Sequence, residues 1–141
     1  MAISEFIRKL PKAELHLHIE GTLEPGLLFE LAKKNRIKLK HRTVKELKKA
    51  YCFRNLQEFL DIYYEGCNVL RTKEDFYELT IRYFSKAHEQ GVMHAEIFFD
   101  PQTHTSRGVL FRTVIEGIHR GCEDARKRFS ISSRIIMCFL R

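Results

Sequence analysis

The chain has 141 residues, of which 44% are hydrophobic and 30% are charged. This length supports one compact domain with a buried core, and the composition excludes a disordered or low-complexity protein. No segment approaches the roughly 18 apolar residues of a membrane-spanning helix, and residues 1–14 lack the apolar centre of a secretory signal, so we expect a cytoplasmic protein with no membrane partner.

The net charge of +7 is concentrated in residues 33–49, where nine residues are basic and only Glu46 is acidic. Few aromatic residues interrupt this segment, so it lacks the stacking surface that is typical of single-strand binding. We therefore expect a solvated connection and no nucleic-acid partner. The four cysteines (Cys52, Cys67, Cys122 and Cys138) show no paired spacing, and we expect them to be reduced thiols.

The first predicted element is a strand over residues 13–20, in which apolar and ionisable residues alternate strictly. One face carries Leu15, Leu17 and Ile19, and the other carries Glu14, His16, His18 and Glu20. Gly21 ends this strand, and Pro25 has the position of a first-turn proline that opens a helix.

Three further helix starts are predicted by capping-box spacing, at Thr43 with Glu46, at Asn55 with Glu58 and at Thr72 with Asp75. After Asn55, a stripe recurs at helical spacing and is predicted to be core: Leu56, Phe59, Leu60, Tyr63 and Tyr64.

The second half of the chain predicts two more strands separated by a helix. Val92–Phe99 is rich in β-formers, residues 100–108 have the composition of a loop, and Phe111–Phe129 has helical periodicity. The apolar run at residues 134–140 indicates a strand buried on both faces, which needs a cover of later helices. The succession predicts an α/β fold with about three parallel strands and an inserted helical block. It fits either a doubly wound sheet or an eight-stranded barrel, and a barrel of about 250 residues would be incomplete here.

The clearest chemical signal is the pair His16 and His18. Residues two apart on a strand project from the same face about 6.6 to 6.8 Å apart, so both imidazoles can reach one metal ion. By spacing alone the pair also fits surface or hydrogen-bonded histidines. Its position at the carboxyl end of a strand, before Glu20 and Gly21, is where α/β proteins place their sites.

The sequence from Pro11 to Thr22, PKAELHLHIEGT, closely resembles the first-strand signature of the adenosine deaminase family, which belongs to the amidohydrolase superfamily of (β/α)8 barrels. Residues 23–25, residues 55–60 and the segment FFDPQTHT at residues 98–105 resemble the adenine deaminase branch of that family. The resemblance covers essentially the whole chain and implies that residues 1–141 are one partial TIM-barrel domain, the amino-terminal portion, ending at the third strand.

The resemblance implies a function and its residues. His16 and His18 match two ligands of one catalytic Zn²⁺, and Glu20 matches a substrate-binding position that faces the substrate pocket. A strand-end carboxylate that steadies a loop or a histidine is the other interpretation of Glu20. The implied reaction is hydrolytic deamination of adenine to hypoxanthine and ammonia, with adenosine as the alternative substrate. The family's further ligands and proton shuttle lie on later strands, so no catalytic residue is assigned and the isolated chain is expected to be inactive.

Three other observations complete the sequence-based hypotheses. His94-Ala95-Glu96 has the spacing of a cytidine-type deaminase motif, but no proline precedes a cysteine, so its second half is missing. His104 is predicted to be a solvent-exposed loop histidine, with a pocket role as the alternative. A non-catalytic module that self-associates through the exposed edge of the last strand is the competing function.

Overall fold

The computed structural model describes residues 5–139 and contains a sheet of three parallel strands. The strands are β1 (Lys12–His18), β2 (Val92–Phe99) and β3 (Ser132–Met137). The helices are α1 (Glu5–Lys9), α2 (Pro25–Lys34), α3 (Val44–Ala50), α4 (Leu56–Cys67), α5 (Lys73–Glu89), α6 (Pro101–Thr105) and α7 (Phe111–Phe129), and a 3-10 turn at Ile19–Thr22 follows β1. The predicted α/β class, with a helical block between the first two strands, is confirmed.

The predicted helix starts are also observed. Pro25 is the first residue of α2. The side chains of Thr43 and Asn55 accept hydrogen bonds from the third residue of α3 and α4. At α5, Thr72 and Asp75 form a reciprocal capping box. These caps satisfy backbone N–H groups that have no partner inside the helix, which explains why each helix begins where it does.

The sheet order is β1-β2-β3, so β2 is the central strand. His18 pairs with Phe98 on β2, and Phe99 pairs with Met137 on β3. Because all three strands are parallel, their carboxyl ends meet at one edge. The described sheet therefore brings the residues that follow His18, Phe99 and Met137 close together.

The two faces of β2 differ in their surroundings. Ala95, Ile97 and Phe99 are buried and belong to the hydrophobic core formed with α5 and α7. His94, Glu96 and Phe98 alternate with them and are only half-buried. The helices thus cover one face of the sheet, and the second face carries the polar side chains predicted for the site.

Helices α5 and α7 approach closely at two glycines of α7. A Cβ atom on Gly117 would lie 2.5 Å from the carbonyl oxygen of Lys73, and one on Gly121 would lie 2.6 Å from the Cβ atom of Thr80. Separations under 3 Å are steric overlap, so only glycine permits this packing. The contact fixes α5 and α7 together over β2.

Two predicted core segments are more exposed than expected. The prediction that the α4 stripe is core is wrong at Leu56, which is 70% exposed, and at Phe59 and Tyr64, which are 39% and 42% exposed. The last strand runs from Ser132 to Met137, and its predicted burial on both faces is wrong, since Met137 is 42% exposed. In the described part of the chain, β3 contacts β2 and α7. Leu140, in the predicted run, lies outside the described residues.

The basic segment agrees with its predicted role as a solvated connection, since all nine basic side chains of residues 33–49 are exposed. Among the described helices, none combines the length and apolarity required to cross a bilayer. All four cysteines are free thiols.

Candidate metal and substrate site

The two histidines of the first strand lie together at the carboxyl edge of the sheet. The ring centroids of His16 and His18 are 5.6 Å apart, and both rings contact Phe98 of β2, with centroid separations of 4.5 and 5.6 Å. His16 is exposed and His18 is half-buried. The strand geometry thus places two imidazoles side by side on the face that the helices leave uncovered.

Asp100 orients one of these rings. It follows β2 directly, its carboxylate is nearly buried, and its Oδ2 lies 3.3 Å from Nδ1 of His18. An ionised carboxylate only accepts hydrogen bonds, so Nδ1 carries the proton and the lone pair of His18 is on Nε2. A carboxylate on the far nitrogen is the usual arrangement behind a metal-binding histidine. Sequence reasoning missed Asp100, although its position at the end of the neighbouring strand was the available signal.

Glu20 is buried beside this pair, at 3% exposure. Its Oε1 accepts a hydrogen bond from the backbone N–H of Asp100 at 2.9 Å and lies 3.0 Å from Nε2 of His104. Its Oε2 lies 3.4 Å from the hydroxyl of Tyr63. Glu20 therefore steadies the segment after β2 and a histidine, which is the alternative that the sequence left open. Among the described residues, its Oε2 has one distant partner, the hydroxyl of Tyr63.

Tyr63 of α4 links the two carboxylates. Its hydroxyl donates to Oδ2 of Asp100 at 2.9 Å. Burial raises the pKa of Tyr63 far above its ordinary value, and the negative charge of Glu20 raises it further. The Tyr63 hydroxyl is therefore protonated at neutral pH, and it acts as a hydrogen-bond donor beside Asp100 and Glu20.

The prediction that His104 is a solvent-exposed loop histidine is wrong. Pro101 begins the short helix α6 inside the predicted loop, and this turn directs His104 into the core, where it has no exposed surface. Its ring meets Phe76 edge to face, with centroids 4.8 Å apart. The turn-forming composition of residues 100–108 concealed the helix, because proline favours both loops and first helical turns.

A cavity of about 170 Å³ opens next to Glu20. Phe59 and Tyr63 of α4 line it together with Tyr51 and Phe53, so part of the predicted α4 stripe borders this cavity. Flat aromatic walls with one carboxylate suit a planar, hydrogen-bonding ligand. A larger cavity of about 590 Å³, between the 3-10 turn, α2 and α5, contains none of the predicted site residues, so the smaller one is the better substrate candidate.

Cys138 offers a third donor near His18 and Asp100. Within the described residues, the ligand atoms of these three side chains all lie within 4.8 Å of one another. Partial burial raises the pKa of the Cys138 thiol, and the charges of Asp100 and Glu20 raise it further. The protonated thiol of Cys138 donates a hydrogen bond to Asp100, beside His18.

The motif at His94 and Glu96 is not brought to this edge. Nδ1 of His94 lies 2.7 Å from Oγ of Ser132, the first residue of β3, at the amino end of the parallel pair. This contact places His94 several residues from the carboxyl edge that carries His18. His94 is therefore not among the side chains that the sheet gathers around His18 at the carboxyl edge.

Imidazole nitrogens are ordinary zinc ligands, and the lone pair on Nε2 of His18 is directed away from its carboxylate partner. His16 and His18 therefore fit two positions of a zinc ion. A catalytic zinc has three or more protein ligands and an open position. The two imidazoles among residues 5–139 are therefore fewer than the three protein ligands that a catalytic zinc site requires.

The comparisons with known proteins agree with this geometry. The adenosine deaminase family model matches residues 11–141. The chain is 59% identical over 138 residues to an adenine deaminase of Acinetobacter baylyi and 60% identical over 139 residues to one of Wolinella succinogenes. These matches cover 98% and 99% of this chain but 42% of each relative. The chain thus spans about two fifths of the length of these relatives.

Solved structures show the same fold. An adenine deaminase from Arthrobacter aurescens superposes with a TM-score of 0.87 at 46% identity, covering 90% of this chain and 39% of that one. An amidohydrolase from Burkholderia ambifaria, crystallised with bound Zn, gives 0.81 at 26% identity, covering 97% and 39%. The three-stranded sheet corresponds to part of the barrel of these TIM-barrel amidohydrolases. On its sequence and its fold, the chain belongs to the adenosine deaminase family.

Proposed function

We propose that this chain supplies the β1–β3 part of the active site of a zinc-dependent adenine deaminase. His16 and His18 bind the zinc ion in this proposal, and Glu20 binds the purine. The observation that carries it is the pair of adjacent imidazoles, one of them held by Asp100, at the carboxyl edge of a sheet whose relatives are named adenine deaminases.

Adenine is favoured over adenosine as the substrate. The relatives with 55% identity or more over nearly the whole chain are named adenine deaminases.

Bound zinc would supply a hydroxide at neutral pH by lowering the pKa of a bound water. The chain's own residues prepare the site for it. Asp100 keeps the proton of His18 on Nδ1. Glu20 presents a carboxylate oxygen to the cavity, where it can accept a hydrogen bond from a purine N–H. Tyr63 donates to Asp100 and closes one wall of the cavity.

Zinc binding to the chain tests the metal site directly. We expect calorimetric titration with Zn²⁺ to show one weak site, and we expect His16→Ala and His18→Ala each to lower its affinity at least about tenfold, since each removes one of two ligands. His119→Ala is the matched control, because His119 is exposed on α7 far along the chain from the site. Wild-type affinity in both strand variants would contradict the proposed ligands.

Complementation tests the activity. The chain is mixed with the segment of the Acinetobacter baylyi adenine deaminase that follows the region it matches, and ammonia release from adenine is measured. We expect no turnover from either part alone, turnover from the pair, and its loss with His16→Ala. Turnover that persists in that variant would refute the assignment.

Self-association through β3 is a second proposal. In the described residues β3 pairs only with β2, while Met137 and Phe139 are 42% and 72% exposed. An unpaired strand edge with apolar side chains favours pairing with another chain. A cytoplasmic location is also proposed, supported by four cysteines that form no disulfide.

A further inference from the structure

A buried chain of hydrogen bonds connects Arg107, His104 and Glu20. Nη2 of Arg107 lies 2.7 Å from Nδ1 of His104, and Nε2 of the same ring lies 3.0 Å from Oε1 of Glu20. The side chains of His104 and Glu20 are 0% and 1% exposed. Among the described residues, Nδ1 of His104 contacts Arg107 and Nε2 contacts Glu20, and the buried ring is shielded from water.

The chemistry of the partners fixes the proton on the ring. A guanidinium has five N–H donors and no acceptor, so Nδ1 of His104 accepts from Arg107. The one proton of the neutral ring is then on Nε2, which donates to the carboxylate of Glu20.

Arg107 is itself held in place by the chain that precedes α5. Its guanidinium donates to the carbonyl oxygen of Leu70 at 2.6 Å, and Arg71 donates to the backbone carbonyl oxygen of Arg107. Burial lowers the pKa of Arg107 to about 10, and this still leaves the guanidinium charged at neutral pH. The donor to His104 is therefore present and fixed under ordinary conditions.

The two carboxylate oxygens of Glu20 have different hydrogen-bond partners. Oε1 receives two hydrogen bonds, from Nε2 of His104 and from the backbone N–H of Asp100. Among the described residues, the partner of Oε2 is the hydroxyl of Tyr63 at 3.4 Å, and the Glu20 side chain borders the cavity of about 170 Å³. Because His104 and the backbone of Asp100 hold Oε1, Oε2 is the oxygen that is left to bind a ligand in the cavity.

We propose that His104 and Arg107 are positioning residues, which hold His104 as the neutral Nε2–H tautomer and so direct Oε2 of Glu20 at a ring N–H of the purine. This deepens the proposed function and rests on it only for the identity of the ligand. Neither residue touches the substrate in this arrangement. Their effect reaches it through Glu20.

Nitrogen NMR of the 141-residue chain tests the tautomer without any substrate. Long-range proton–nitrogen correlation spectra at neutral pH distinguish the two tautomers and the doubly protonated ring, and the signals of His104 are identified by their loss in His104→Gln. We expect the Nε2–H pattern. The Nδ1–H pattern or a doubly protonated ring in the unmodified chain overturns the proposal.

Two substitutions at Arg107 then test whether its guanidinium determines the tautomer of His104. Arg107→Lys retains a cationic donor, and we expect His104 to keep the Nε2–H pattern. Arg107→Met has similar length but no donor, and we expect the His104 signals to leave that pattern. A merely structural role predicts equal spectra for the two variants, and equal spectra overturn the proposal.

The complementation assay gives the functional readout. With Arg107→Met we expect the KM for adenine to rise about tenfold while zinc content is unchanged, with rescue by Arg107→Lys, because misdirected binding groups weaken substrate contacts. An unchanged KM overturns the inference. Absence of turnover from the wild-type pair counts against the proposed function alone, since the tautomer measurement decides the positioning role independently.

Discussion

Gly121→Ala tests the close packing of α5 and α7 that supports the site. The new methyl group would lie 2.6 Å from both Cβ and Cγ2 of Thr80. Thr80 has no exposed surface, and its hydroxyl donates to the carbonyl of Phe76 at 2.8 Å, so it cannot turn away without losing that bond. Overpacking of this kind costs about 1–3 kcal/mol, and the better helix propensity of alanine offsets up to about 1 kcal/mol.

We therefore expect Gly121→Ala to lower the free energy of unfolding by about 1–2 kcal/mol. Gly26→Ala is the matched control, because a Cβ atom there meets nothing within 4 Å and α2 gains helix propensity. We expect that variant to be unchanged or more stable by up to about 1 kcal/mol. Urea unfolding followed by circular dichroism measures both. Equal midpoints for the two variants would refute the steric reasoning.

Three further predictions concern the site, the acid stability and the last strand. Asp100→Asn removes the carboxylate that accepts from His18, and we expect zinc affinity to fall about 10- to 100-fold in a calorimetric titration. Burial acts to raise the pKa of Asp75, but hydrogen bonds from Lys34 and nearby groups outweigh it and lower the pKa below its ordinary value. Its stabilising contribution is thus complete above the ordinary pKa of about 4 and is lost as the pH falls through the lower folded pKa, so urea midpoints should fall more steeply with acid in the wild type than in Asp75→Asn. Met137→Lys places a charge on the exposed part of β3, and sedimentation velocity should show less self-association; an unchanged distribution would exclude this edge.

The recognisable part of the site is local in sequence. His16 and His18 share a face because strand side chains alternate, and this needs no knowledge of the rest of the fold. The capping residues Thr43, Asn55 and Thr72 act on backbone groups three residues away, so their spacing also predicted the helix starts. Features that depend on such short-range geometry were predicted correctly.

The supporting part of the site was not predictable in this way. Asp100 lies 82 residues from His18 and His104 lies 84 residues from Glu20, and only the parallel pairing of β1 with β2 brings them together. The exposure of Phe59 similarly depends on which side of α4 faces the core. Hydrophobic spacing identifies a stripe, but it does not say whether that stripe meets the core or borders a cavity.

By itself, the sequence determined the α/β class, the family resemblance and the pair of histidines, because periodicity, capping and a contiguous motif are properties of neighbouring residues. The tertiary structure alone decided that His104 is buried against Glu20, that Asp100 holds His18 and that the last strand is partly exposed. These outcomes depend on which distant elements the sheet brings into contact, and on how much of each face the described helices cover.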